Sequence, residues 1–467
     1  MTPEQWLAYL CERMDARAPR IRGLRDRLEG NGPLPEGADG LREAYKAFQR
    51  RARTNFAELV TVAVAERMVI SGVRVGDGTG DDAAARKIMR RNRVGILAPD
   101  VHLDMLGLSA GYVSVVGGPG SARIVYERPE QVITESDPLD PWTTLASLKV
   151  WRDKVRERDF AVLSLPGYMY RWFRPHKRES GLIETPIQVS GGWQPQSLTV
   201  GLAPWVTTVP FWNAGGVAEF ERHTDILDRI DYGILQRLVV MAMQAYRQRA
   251  TKGDLPEADE AGNPIDYGAL LKPGAGALWH LPEGVELWES QQTDVRPLLE
   301  AVKDDIRDLS AVTRVSLATL IPSGANQSAD GASYAREGTV FKAENRIERA
   351  RASWSQVLAQ ALAVEAGAEE LPDVDVDFRP AAQLSLSERA DAATKATDLP
   401  WETRMADIWG YDGDAIKRMQ AQRSQDALVL GLAQAPAAPA LPVAPAPALA
   451  PAGLPTPRPS AELPAAS

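Results

Sequence analysis

The sequence predicts an α+β fold, and three observations carry that expectation. Apolar residues recur at helical spacing over residues 224–250 and 294–313. Between residues 112 and 173, short β-branched or aromatic runs follow one another, separated by Gly, Pro and Asp. The chain has 467 residues, 44% hydrophobic and 25% charged, which is enough apolar material for two or three ordinary cores.

The same composition excludes whole classes. No stretch approaches the roughly 20 uninterrupted apolar residues that span a bilayer, so no membrane crossing is expected. The opening MTPEQWLAYLCERMD carries acids where a secretory signal would be basic and then apolar, which points to folding in a cytoplasm. Cys11 is the single cysteine and cannot form an internal disulfide. The four histidines, His102, His176, His223 and His280, lie far apart, so no metal or other cofactor is expected. A net charge of −9 disfavours a surface that grips DNA phosphates tightly.

Taken in order, residues 2–29 and 41–70 read as helices joined by the turn-rich GNGPLPEG, and residues 92–109 as another. Strands are expected at 112–116, 123–126, 131–134, 145–151, 160–165 and 168–173, forming a mostly antiparallel region. Residues 174–217 read as loops with a few strands, ending at VPFWN. A long helix then runs from Thr224, a plausible N-cap, to about Ala250, with Ile226, Ile230, Ile234, Leu238 and Met241 on one face. Gly253 ends it, and residues 253–293 form a compact Gly/Pro/acid-rich insert with strand-like pieces near 277–280 and 285–288.

The next helix starts at once, capped by Thr293 or Asp294, with Pro297 in its first turn. Its stripe is Val295, Leu298, Leu299, Val302, Ile306 and Leu309. Residues 317–331, LATLIPSGANQSADG, read as an irregular loop. A third helix runs from Ala332 to Ala366, about 50 Å if unbroken. Its Arg336, Lys342, Arg346, Arg349 and Arg351 favour a solvated face or an intersubunit ion-pair row over a nucleic-acid surface. DVDVDF is a strand, 381–430 two or three short helices, and the Ala/Pro/Leu tail from about 433 is expected to be disordered.

Candidate chemistry is sparse. Asp373, Asp375 and Asp377 suggest a metal site, but alternate residues of a strand share a face, and a charged face is the commoner reading. The Gly runs at 76–80 and 117–120 lack the Lys and Ser/Thr of a phosphate loop, and no Gly-x-Ser-x-Gly elbow occurs. No catalytic residue is expected, and the chain is read as non-enzymatic. The alternative is a hydrolase or nuclease with an unrecognised active site, which would need a convergent set of acids or a His pair.

Several segments carry a resemblance in sequence order: GNGPLPEG before a helix ending ERMVISGVRV; NRVGILAPDVHLDMLGLSAGYVSVV; VPFWN before TDILDRIDYGILQRLVVMA; the SG-x(3)-S stretch Ser323–Ser328; LSLSERADAATK; and WETRMADIWGYDGD. Their order resembles the portal proteins of tailed bacteriophages, in particular the SPP1-like portal family, over most of the chain up to about residue 430. The resemblance implies the phage portal fold: a wing over 1–223, a helical stem at 224–252 and 294–316, a small clip at 253–293, a tunnel loop with a long helix and a return to the wing at 317–380, and a helical crown at 381–432. It implies a homo-oligomeric ring of about 12 subunits in the virion, at one capsid vertex, with the major capsid and scaffolding proteins around it. Through the ring double-stranded DNA passes without sequence specificity, during packaging by the terminase large subunit and during ejection past a head-tail connector or adaptor protein. Stem packing would fall to Ile230, Ile234, Leu238, Leu299, Val302 and Ile306. The tunnel loop holds no Lys or Arg between Leu317 and Tyr334, so its DNA-facing groups would be Ser323, Gly324, Asn326, Gln327 and Ser328 with backbone, a weak contact.

Overall fold

The structure, a computed structural model, describes residues 1–35, 43–77, 82–176, 188–200, 203–245, 249–254, 256–258, 262, 264–267, 284–289, 294–321, 329–382, 386–411 and 413–433. The expected tail beyond 433 and the strand-like piece near 277–280 lie outside them. The chain forms two compact units, residues 1–416 and 417–467. The described part of the second is helical.

Helix α1 (Pro3–Leu28) starts where physical chemistry favours it: Thr2 and Gln5 form a reciprocal capping box and Pro3 takes the first turn. Its first half buries Leu7, Leu10 and Met14 against a sheet, and its second half buries Ile21, Leu24 and Leu28 among helices.

The helix expected over 41–70 is instead two helices and a strand. Helix α2 (Glu43–Ala52) stops, and α3 (Phe56–Ala65) restarts on Asn55, whose side chain accepts the Glu58 amide. The break is held from outside, because the Thr54 amide and hydroxyl both donate to Asp231. A polar side chain that satisfies backbone donors competes with helix continuation. Beyond α3, β-branched ISGVRV forms β1 (Ile70–Val75), antiparallel to β12 (Val374–Phe378) some 300 residues later. Helix α4 (Ala83–Arg91), capped by Asp82, was not anticipated, and α5 (Val94–Gly107) matches the expected helical segment.

Two antiparallel sheets follow. One has three strands in the order β3 (Arg123–Glu127), β2 (Ala110–Val116), β9 (Thr208–Trp212). The other is a meander of five: β4 (Val132–Ser136), β5 (Thr144–Asp153), β6 (Arg158–Leu165), β7 (Tyr168–Pro175) and β8 (Gln194–Val200). Gly111 lets β2 approach α5, since a Cβ there would lie 2.6 Å from the Val101 carbonyl oxygen.

After α6 (Thr224–Ala245) the chain turns into β10 (Arg249–Lys252), paired antiparallel with β11 (Glu286–Glu289). The helix expected to reach Ala250 therefore ends earlier, where a sequence-distant partner supplies a ladder and the register sets Lys252 opposite Glu286. Helix α7 (Arg296–Thr313) follows, then a single turn, α8 (Leu317–Leu320), where irregular loop was expected. Helix α9 (Ala329–Ala366) starts three residues before Ala332 and has 38 residues, about 57 Å at the usual rise. Helix α10 (Leu386–Lys395), a short helix at 401–408 whose last five residues are π-helical, and α11 (Gly413–Ala433) complete an α+β fold.

The largest core cluster joins α3, α4, α5, both strands of the β1–β12 pair and the middle of α9. Trp354, fully buried on α9, packs edge-on against Phe211 and donates from Nε1 to His102 Nε2 at 2.8 Å. Burial drives the His102 pKa down to about 3, so the ring is neutral and serves as an acceptor inside the core. A second cluster gathers α1, α2, α3, α6 and α7, and a third packs α1 on the five-stranded sheet.

Candidate functional site

Helices α6 and α7 run antiparallel, a direction fixed by named contacts. Arg229 pairs with Asp305 at 2.8 Å and with Asp308 at 2.9 Å, while one turn further along α6 a Cβ on Gly233 would sit 2.9 Å from a Val302 methyl. Moving up one helix therefore means moving down the other. Glycine at 233 permits the close approach that a larger residue would block. Of the six expected packing positions, Ile230, Ile234, Val302 and Ile306 are buried, and Leu238 and Leu299 are half-buried. The buried four join Leu235 and Leu309 in one cluster.

A second antiparallel pair, β10 with β11, lies between these helices in the chain. Contacts pair residue 229 with 305–308 and residue 233 with 302, and the β10–β11 ladder then pairs 250 with 288 and 252 with 286. Residue sums stay nearly constant across both described pairs, so the α6–α7 pair and the β10–β11 ladder are nested antiparallel pairings of one chain segment. At its far end the Ala258–Pro264 bridge and the Tyr267 hydroxyl, donating to the Pro256 carbonyl, tie part of the insert together. At the entry of α7, Asp294 accepts the Arg296 amide, a local turn contact in place of the expected cap.

At the other end the hairpin is bolted to α9. Lys342 Nζ donates to the Thr313 carbonyl, the last residue of α7, at 2.8 Å, and Thr339 Oγ1 donates to the Arg314 carbonyl while accepting the Ser316 amide. A cation at a helix C-terminus offsets its partial negative charge. Lys342 also meets Glu219 at 2.6 Å; Arg346 reaches the same carboxylate at 2.7 Å, and Asn213 donates to it at 3.0 Å. Burial raises the Glu219 pKa, but Lys342 and Arg346 outweigh it and hold the carboxyl below the usual range, so it stays charged.

This overturns the expected solvated or intersubunit stripe for two of its members. Lys342 and Arg346 point inward and serve an intrachain network, because Glu219 compensates them where water cannot. Arg351 pairs with Glu348 along the helix, as a surface stripe would. Sequence reading missed Glu219 altogether. Its only signal is an acid among small and apolar residues in GGVAEFE, immediately before α6.

The five candidate DNA-facing residues, Ser323, Gly324, Asn326, Gln327 and Ser328, lie outside the described residues. They connect Ile321, beyond α8, to Ala329, the start of α9. The candidate acids Asp375 and Asp377 both bond to Arg74 on the partner strand, at 2.5 and 2.9 Å, which accounts for their spacing without a metal. The third, Asp373, accepts the Gly76 amide through its backbone carbonyl. The Cys11 thiol is buried and its pKa is pushed up to about 12, so it is protonated and a poor nucleophile.

No protein-family model and no curated protein sequence matches the chain. Solved structures similar to it include the neck of a native GTA particle computed with C12 symmetry, 11% identical with a TM-score of 0.42, over 83% of this chain and 98% of that one. The neck of an empty GTA particle computed with C6 symmetry gives 11% identity and a TM-score of 0.46 over the same shares. The virion of a native gene transfer agent particle gives 13% identity and a TM-score of 0.42, over 84% of this chain and 99% of that one.

Proposed function

We propose that the chain is a structural portal subunit, one copy of a ring that surrounds a DNA passage at a phage capsid vertex. The observation that carries this reading is the single hairpin of α6, β10, β11 and α7, rooted on α9 at one end and carrying the Gly/Pro-rich insert at the other. An antiparallel helix pair whose intervening chain carries the Gly/Pro-rich insert suits a stem with a docking segment at its end. The insert would meet the packaging motor and later the neck proteins. The segment between α8 and α9 would face the passage, and α9, fixed through Lys342 and Arg346, would brace it. The sequence resemblance to phage portal proteins includes the α6 segment and the Ser323–Ser328 stretch, in that order.

The test is negative-stain microscopy of the purified full-length chain across protein and salt concentrations. Annular particles with a central hole wide enough for duplex DNA are expected. A chain that stays monomeric under every condition overturns the reading.

A further inference from the structure

An apolar cavity of about 400 Å³ opens between α3, α4, α5 and the start of β1. Met68, Val69, Met89, Val94 and Ala98 line it, and the charged residues in its lining, Glu66 and Asp100, are both acidic. Beside it Ile96 is 70% exposed, so the apolar surface extends out of the cavity along α5. An apolar recess joined to exposed apolar surface marks a place where something docks.

The chain also presents two apolar tips that touch almost nothing of their own. Leu139 is 95% exposed between β4 and β5, and Val155 is 93% exposed between β5 and β6. Each tip is held in shape by an aspartate: Asp137 accepts the Leu139 amide, and Asp153 accepts the amides of Val155 and Arg156. Charge separates them. The Leu139 turn carries Asp137 and Asp140 and no cation, which an acidic rim would repel, whereas the Val155 turn carries Lys154, Arg156 and Arg158 against Asp153, which pairs with Arg156 at 3.6 Å, and Glu157, leaving it net positive.

We infer that the β5–β6 tip, Lys154–Val155–Arg156, of one copy of this chain enters the acid-rimmed cavity beside Ile96 on the next copy. Val155 would cover the apolar wall, and Lys154 and Arg156 would meet Glu66 and Asp100. Tip and cavity are different surfaces, so the contact is head-to-tail, the kind that generates rings when its rotation closes. The inference rests on the ring reading above and names the contact that would build it.

Two cysteines test it in the full-length chain. Gly95 lines the cavity with open space where a Cβ would go, and the native Cys11 is buried. The Gly95→Cys, Val155→Cys double variant, treated with a short bis-maleimide, is expected to give a ladder of covalent multimers on a denaturing gel. Each single variant should stop at dimers. Val155→Glu should lower the ring population at least tenfold with an unchanged melting temperature, because an exposed side chain contributes nothing to the core. Rings that form normally in Val155→Glu, or rings without a ladder in the double variant, overturn the inference and leave the ring reading standing. Wild-type chain that never forms rings overturns the ring reading, and this contact with it.

Discussion

Helices α7 and α9 both carry an apolar stripe beside a charged one, yet they use charge in opposite ways. On α7 the charges stay at the surface, where Asp304 pairs with Arg307 one turn along and Asp308 with Arg229 across the hairpin. On α9 two cations turn inward to a buried carboxylate. The first arrangement is dispensable and the second is not. Exposed ion pairs contribute little because water competes for both partners, whereas a buried ion whose partner is removed has nowhere to go. The α6–α7 pair thus owes its cohesion to apolar packing, whereas at its junction with α9 the buried charges of Lys342 and Arg346 depend on one acid, Glu219.

Breaking that acid should have the largest effect. Glu219→Ala leaves Lys342 and Arg346 buried without compensation and is expected to cost about 3–5 kcal/mol in chemical denaturation. Replacing all three with apolar residues of similar volume should recover most of the loss, which would separate the cost of an orphaned charge from the value of the network. On α7 the matching change is Ile306→Ala, a cavity in the apolar seam, expected to cost about 3 kcal/mol by the same measurement.

The pH dependence of stability sharpens the contrast between buried groups. The folded pKa of His102 is held at about 3, below its unfolded value of about 6.5, so the folded state favours the neutral ring. Its contribution is fully present above pH 6.5 and is lost as pH falls toward 3. Glu219 also titrates low, but from an unfolded value of about 4.3, so its contribution is lost only below that. Denaturation midpoints between pH 7 and 5 should therefore flatten in His102→Gln and keep their slope in Glu219→Gln. The smallest effect belongs to the surface: Asp308→Ala, which removes one exposed partner of Arg229, should change stability by less than about 1 kcal/mol.

These contrasts also explain what could be read in advance. The seam of α6 and α7 was legible because its apolar residues repeat at the helical period, and four of the meander's five strands because they are consecutive and separated by turn residues; β8 lay in a Gly/Pro/Trp-rich stretch without a clear period. Strands β1 and β10 were not, since each pairs with a segment far along the chain and a local window sees only residues that also suit a helix. The break at Arg53–Asn55 depends on Asp231, distant in sequence. Lys342 and Arg346 read as a solvated stripe because their compensating acid precedes them by more than a hundred residues. Patterning reveals which face of an element is apolar, and it is silent on which charge another segment will cover.

Under the proposed ring reading, α6, β10, β11 and α7 form a stem with the insert at its end, and all copies point the same way. A hexahistidine inserted after Gly262, an exposed position in that insert, would carry nanogold to the tip. In side views of assembled particles by electron microscopy, the account predicts gold along one rim only. Gold spread around the outer perimeter, or on both rims, would contradict it.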